Sequence, residues 1–179
     1  FEDAENATDP VRQSALLTFV IVGGGPTGVE LAGAVAEVAR KVLVKDFRRI
    51  DPRQTRVVLI EAGPRVLAMF DESLSRRTTR DLEALGVEVR TATRVTAVDA
   101  QGVQVGSERI EAATVVWAAG VSPSSLNAKL GVALDSAGCI LVHPDLSVPS
   151  HAEVFVIGDQ AHFEVETGRS LPGLAPVAL

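Results

Sequence analysis

A single cysteine, Cys139, stands in the 179 residues, so the chain forms no internal disulfide and carries no dithiol redox pair. Cys139 therefore reads as a buried or passive thiol. Basic residues are few as well: 17 Lys and Arg stand against 23 Asp and Glu, a formal charge of −6. No dense basic stripe lies beside stacking aromatics, which speaks against nucleic acid as a partner. The loose cluster from Lys41 to Arg56, with Arg48 and Arg49 adjacent, reads as a solvated linker. No apolar run approaches the ~18–20 residues that cross a bilayer, and the first residues lack the basic-then-apolar order of a signal peptide. The expectation is a cytoplasmic chain with no transmembrane segment and no assigned metal ligand. The start at Phe1 and the end at Leu179 after a Pro-rich stretch read as those of a piece of a longer protein, although processing gives the same ends.

What is present describes a globular protein: 46% hydrophobic and 22% charged residues, enough to bury a core of one domain with pieces of a second attached. Thr18-Phe19-Val20-Ile21-Val22 is a compact β-branched run that stops at three glycines, as a buried parallel strand does. From Thr27 to about Val44, Val29, Ala32, Val35, Ala36, Ala39 and Leu43 recur at helical spacing without a proline. A second strand is predicted over 56–61. Asp71 stands at an N-cap position, and Leu74, Thr78, Leu82 and Leu85 follow at helical spacing up to Gly86. A third strand is expected over 87–90.

This alternation predicts an α/β fold, a Rossmann-like doubly wound parallel sheet. Short runs at 95–98, 103–105 and 109–110 predict a small antiparallel β insert, and Thr114 to Trp117 returns to a buried-strand pattern. From Asn127 the composition shifts to Gly, Pro and Ser. The clearest run beyond it, Val154 to Ile157, reads as a buried strand, and a domain boundary is expected near residues 121–130.

Gly23-Gly24-Gly25-Pro26-Thr27-Gly28 matches G-x-G-x-x-G between a predicted strand and a predicted helix. Gly23 can supply the tight turn, Gly25 the close approach of a pyrophosphate, and Gly28 close helix–strand packing. Ala32 and Gly33 keep the same helix face small. Free amides in the first helical turn can then meet phosphate oxygens. No Gly-Lys-Ser or Gly-Lys-Thr follows, so a P-loop is excluded.

Glu61 closes the second strand, where a carboxylate can accept hydrogen bonds from the adenosine ribose hydroxyls and repel a 2′-phosphate. It lies 33 residues after Gly28, beyond the usual ~20, and an enlarged crossover through Asp46 to Arg56 accounts for the excess. A solvated strand-end charge is the alternative. Arg65 either holds an adenosine phosphate or has no ligand at all. Glu30 sits in a tract otherwise small and apolar, where a buried carboxylate is costly without partners. It either orients the nicotinamide end of the cofactor or answers the helix dipole. Ala118-Ala119-Gly120 suits a close ligand approach or a tight turn. Gly158-Asp159 suits a ligand at a strand end or a turn with a capping Asp.

Taken together, LLTFVIVGGGPTGVELAGAVAEV (16–38), VVLIEAGPRVL (57–67), VVWAAGV (115–121), VFVIGDQAH (154–162) and LPGLAPVA (171–178) resemble the two-dinucleotide flavoproteins. Within them, they resemble the type II, non-proton-pumping NADH:quinone dehydrogenases. The resemblance implies NADH at Gly23, Gly24, Gly25, Pro26, Thr27 and Gly28, with Glu61 and its neighbour Ala62 at the adenosine end. It implies Glu30 near the nicotinamide and flavin rings, Ala119 and Gly120 beside the nicotinamide nucleotide, and Gly158 and Asp159 on FAD. The LPG segment would lead into a helix beside the isoalloxazine and quinone, but Pro176 replaces a Gln common in the family. The implied division is a linker or partial FAD-domain segment (1–17), an NAD(H)-binding domain (18–122) and a partial FAD-domain segment (123–179). The parent would pass hydride from NADH to FAD and electrons to a quinone, as a peripheral protein on the cytoplasmic face of the membrane. Disulfide or ferredoxin reductases of the same superfamily, and a non-catalytic NAD-sensing domain, remain alternatives.

Overall fold

A computed structural model describes residues 1–166 and 169–170, which form two compact units divided between Gly120 and Val121. The segment 171–178 and Pro176 lie outside the described residues.

The first unit is built on four parallel strands: β1 (Thr18–Val22), β2 (Arg56–Ile60), β3 (Val87–Arg90) and β7 (Thr114–Trp117), in the order β3-β2-β1-β7. Strands of such a sheet are apolar on both faces, and here each face has its own cover. Val57 and Leu59 of β2 pack with Ile21 against α3 (Pro26–Glu37) and α4 (Glu72–Ala84), through Ala32, Ala36 and Leu82. Val58 and Ile60 turn the other way, with Val20 and Val22. They meet the antiparallel meander of β4 (Val95–Asp99), β5 (Gly102–Val105) and β6 (Glu108–Glu111) through Val103 and Ile110. The insert read from the sequence thus serves as the second covering layer of the parallel sheet. Glu88 is held between Arg56 and Arg90, which also reaches Glu108, so ion pairs cross from the sheet to the meander.

Helix starts and stops follow side-chain chemistry. Asp71 caps α4 by accepting from the Ser73 amide at 2.8 Å, and Gly86, at φ 80°, ends it. After Glu37 the crossover helix continues as a π-helical turn (Val38–Val42) and a 3-10 turn (Leu43–Lys45), and a further 3-10 turn (Pro52–Gln54) precedes β2. The enlarged crossover is therefore wound rather than a plain linker.

Residues 1–17 fold as two short helices, α1 (Glu2–Asn6) and α2 (Pro10–Leu16), against this unit. Ala4 is buried with Leu17 and Ile50, and the Phe1 ring stacks on Phe19 with centroids 5.5 Å apart. The Glu5 carboxylate accepts from the amides of Arg48, Arg49 and Ile50 at 2.9–3.0 Å. Desolvation pushes its pKa up, but those three amides outweigh it and hold the carboxyl below its usual range. Because the folded value is depressed, this tether contributes fully above the unfolded carboxyl pKa of about 4.3 and is lost as pH falls through the folded value. Glu5→Gln is expected to remove that acid sensitivity and to speed hydrogen exchange at the three amides several-fold at neutral pH. Unchanged exchange at residues 48–50 would show that the tether holds nothing.

The second unit carries short strands: β8 (Ile140–Leu141), β9 (Ser147–Val148), β10 (His151–Phe155) and β11 (Ala161–His162). The expected buried strand at 154–157 is corrected here. Its counterpart is β10, shifted to His151–Phe155 and exposed throughout, and Ile157 beyond it is 70% exposed. The reason is pairing: among the described residues β10 pairs with β9 alone, in a two-stranded ribbon.

Among the described residues no helix is long and apolar enough to cross a membrane, and no group of His, Cys, Asp or Glu is placed to hold a metal.

Candidate functional site

Parallel strands point their carboxyl ends the same way, and the order β3-β2-β1-β7 puts a change of winding direction between β1 and β7. Crevices at such switch points are where open α/β sheets bind ligands. The chain just past three neighbouring strands stays in ladder register. The Gly23 amide donates to Ile60, the Glu61 amide to Arg90 and the Ala118 amide to Val22. Gly23, Glu61 and Ala118 therefore stand side by side on one crest.

Each glycine of the turn has a separate spatial reason. Gly23 has φ 113°, and a Cβ there would strike the Ala118 carbonyl and lie 2.6 Å from the Ala119 Cα. A Cβ on Gly28 would fall on the Gly23 carbonyl oxygen, so helix α3 sits directly against the turn. At Gly25 an added Cβ meets nothing within 4 Å. Its missing side chain keeps open space clear over the turn, rather than making room for protein.

Gly25 is also the N-cap of α3, with no side-chain cap, and Pro26 opens the helix. The first intrahelical bond runs from the Val29 amide to the Gly25 carbonyl at 3.0 Å. Pro26 has no N–H, so Thr27 and Gly28 present the first amides of the helix, Thr27 from an exposed position. Open space, free amides and the positive end of a 12-residue helix together make an anion cradle.

Glu61 is half-buried beside this cradle. Its Oε2 accepts from the Gly24 amide and its Oε1 from the Gly63 amide, each at 2.6 Å. Ala62 is exposed next to it. Arg65 points into its own loop: it donates to the carbonyls of Phe70 at 2.9 Å and Ala68 at 2.7 Å, and to Ser75 Oγ. That leaves its Nε and one Nη2 hydrogen for other partners. Glu30 is exposed on α3, so the helix carries no buried charge there. Ala119 and Gly120 are exposed past β7, Gly120 at φ 95°. Trp117, the sole tryptophan of the chain, is 60% exposed at the end of β7, an edge strand rather than a fully buried one.

The structure thus brings Gly23 to Gly28, Glu61 and Ala119 onto one crest. In the second unit, Gly158 and Asp159 form a separate 3-10 turn with Gly158 at φ 67° and Asp159 exposed. The Cys139 thiol lies against the Asp159 carbonyl there, at 3.5 Å. Desolvation, then the Asp135 and Asp159 charges, push this thiol up, the opposite of an activated thiolate. A cavity of about 520 Å³ lined by Gln13, Ser14, Thr18, Gln54, Arg56 and Glu111 opens where the strands begin. It is at the wrong end of the sheet for the crest chemistry.

Residues 1–179 match the family model described as pyridine nucleotide-disulphide oxidoreductase, and the chain belongs to that family. Within it, the chain is similar to the type II NADH:quinone oxidoreductase Ndh of Mycobacterium tuberculosis, at 45% identity over all of this chain and 40% of that protein. NdhA of the same organism, likewise a type II NADH:quinone oxidoreductase, is 44% identical over 89% of this chain and 36% of its own length. The chain thus spans about two fifths of the curated relatives it matches. The fold is also that of NDH2 from Plasmodium falciparum, solved in complex with NADH, with a TM-score of 0.77 at 22% identity over 90% of this chain and 36% of that one.

Proposed function

We propose that this chain is the NAD(H)-binding part of a flavin-dependent NADH:quinone oxidoreductase. The observation that carries the proposal is the pairing on one crest of an open, uncapped helix start at Gly25 with a carboxylate, Glu61, bonded to the neighbouring Gly24 amide. An anion cradle alone fits any phosphate. An acceptor carboxylate beside it fits a dinucleotide with free ribose hydroxyls. The names of both mycobacterial relatives agree with that choice.

In this reading residues 18–122 form the nucleotide domain, 1–17 a linker or flavin-domain segment, and 123–179 a flavin-domain segment. Gly23, Gly24, Gly25, Pro26, Thr27 and Gly28 hold the pyrophosphate, its oxygens meeting the amides of Thr27 and Gly28. Glu61, flanked by Ala62, accepts the adenosine ribose hydroxyls. Arg65 braces the adjoining loop and keeps two N–H donors for an adenosine phosphate. Ala119 and Gly120 lie along the nicotinamide nucleotide, and Glu30 orients its ring from the first turns of α3. Gly158 and Asp159 hold FAD in the whole protein.

Bound flavin would supply the two-electron acceptor, with NADH as hydride donor and a quinone as the final oxidant. The protein's part is to bind, orient and exclude water, and no side-chain acid or base is required. A disulfide reductase within this chain is disfavoured by its single, burial-raised thiol.

Calorimetric titration of the chain tests the proposal. NADH is expected to bind measurably, NADPH at least about tenfold more weakly because its 2′-phosphate faces the Glu61 carboxylate, and FAD little. Equal affinity for the two nicotinamide cofactors would remove Glu61 from the ribose site, and tight FAD binding would overturn the domain assignment.

A further inference from the structure

Gly24 raises a question that phosphate binding does not answer. Its backbone does not require glycine by a positive φ, yet a Cβ there would lie 2.9 Å from the Glu61 Cβ. The space it lacks is occupied by Glu61. On the other side of the carboxylate, a Cβ on Gly63 would lie 3.0 Å from Glu61 Oε1. Two glycines thus close on one carboxylate, each donating its amide to a different oxygen.

Behind each glycine stands a residue in an uncommon conformation. The Gly24 carbonyl accepts from the Leu67 amide and the Gly63 carbonyl from the Ala92 amide, both at 2.7 Å. Leu67 has φ 50° and Ala92 φ 51°, and among the described residues only Leu146 is a further non-glycine with positive φ. A left-handed Leu or Ala persists only where its surroundings dictate it. The main chain of Glu61 is fixed as well, its amide on the Arg90 carbonyl and its own carbonyl accepting from the Thr93 amide at 2.9 Å.

We propose that Glu61 is a positioning residue whose carboxylate ties the glycine turn at Gly24 to the loop after β2, which main-chain bonds join to the loop after β3, while it serves the ribose. This rests on the NAD(H) reading and deepens it. A carboxylate has about four lone-pair positions. The two amides use one on each oxygen, which leaves one on each for a pair of vicinal ribose hydroxyls. Loop bridging and ribose binding are then simultaneous, and the phosphate cradle is held in place before the nucleotide arrives. An amide side chain cannot do this, because its NH2 would face an N–H donor. A shorter carboxylate does not span both glycines.

Glu61→Gln in the 179-residue chain separates a bridge from a simple ribose ligand. The probes are NADH and reduced nicotinamide mononucleotide, which has a phosphate and a nicotinamide but no adenosine ribose. Amide exchange at Gly24 and Gly63 is read without ligand. The bridge predicts that the amide facing the new NH2, Gly24 or Gly63, loses protection and that both probes bind more weakly, each on the order of tenfold. Loss of NADH affinity alone, with mononucleotide binding and both amides unchanged, would reduce Glu61 to a ribose ligand and overturn the bridge. Should the Gln variant fail to fold, Glu61→Asp keeps the charge but not the span. It is expected to deprotect at least one of the two amides, and full protection of both would overturn the bridge. Failure of wild-type protein to bind NADH would instead sink the NAD(H) reading, with the exchange measurement still deciding the bridge.

Discussion

Gly25→Val is expected to abolish measurable NADH binding, a loss of about a hundredfold or more, while leaving the unfolding temperature close to that of the parent chain. The two halves of this result have one cause. Among the described residues, beyond its chain neighbours, an added Cβ at Gly25 meets nothing within 4 Å, and the residue's φ of −73° suits any side chain. The folded chain therefore meets no clash, and the substitution costs only about 1 kcal/mol, because Val is a poorer N-cap than Gly. A branched side chain would, however, fill the space through which a pyrophosphate reaches the Thr27 and Gly28 amides. Titration followed by Trp117 emission, together with thermal unfolding, checks both halves. Retained affinity would mean that the phosphates lie elsewhere, and a large fall in stability would mean that the space over Gly25 is not open.

Gly28→Ala is expected to do the reverse and damage the fold first. Alanine inside a helix gains about 1 kcal/mol over glycine from its propensity. Against this, the new Cβ would land on the Gly23 carbonyl oxygen, a backbone atom fixed by the bond from its own amide to Ile60. Relieving the overlap means moving α3 away from the turn, and overpacking of this kind costs about 1–3 kcal/mol even where flexible side chains can yield. Because a fixed backbone atom cannot yield, the cost falls in the upper part of that range, about 2–3 kcal/mol, and denaturant unfolding should show a net loss of about 1–2 kcal/mol. A neutral or stabilising result would show that helix and turn are not in contact as described. Together the two glycines distinguish a position kept empty for a ligand from one kept empty for the protein itself.

That distinction could not be read from the sequence, where both are simply glycines of one motif. Much else could. The β-branched run at 18–22 marks β1 without a shift, and Asp71 caps α4 as its position before a helical repeat implied. Such features are local, set by neighbours within a few residues. The exposed β10 was not legible, because an apolar run looks the same whether or not a layer of protein covers it. Glu30 illustrates the same limit: its neighbours are small and apolar, but it falls on the exposed side of α3. Within the site, Glu61 was visible as a strand-end carboxylate. Its bonds to Gly24 and Gly63 were not, since they depend on Leu67 and Ala92 adopting conformations that no sequence pattern signals.

If one crest, formed by the glycine turn and Glu61, receives NAD(H), the amides along it must respond to the nucleotide together. Mapping backbone amide shifts of the chain during an NADH titration tests it most directly. Saturable shifts are expected at residues 23–28, 61–67 and 118–120, the largest at Thr27 and Gly28. Saturable shifts confined to the turn at Gly158 and Asp159, or to the cavity around Gln13 and Arg56, would contradict it.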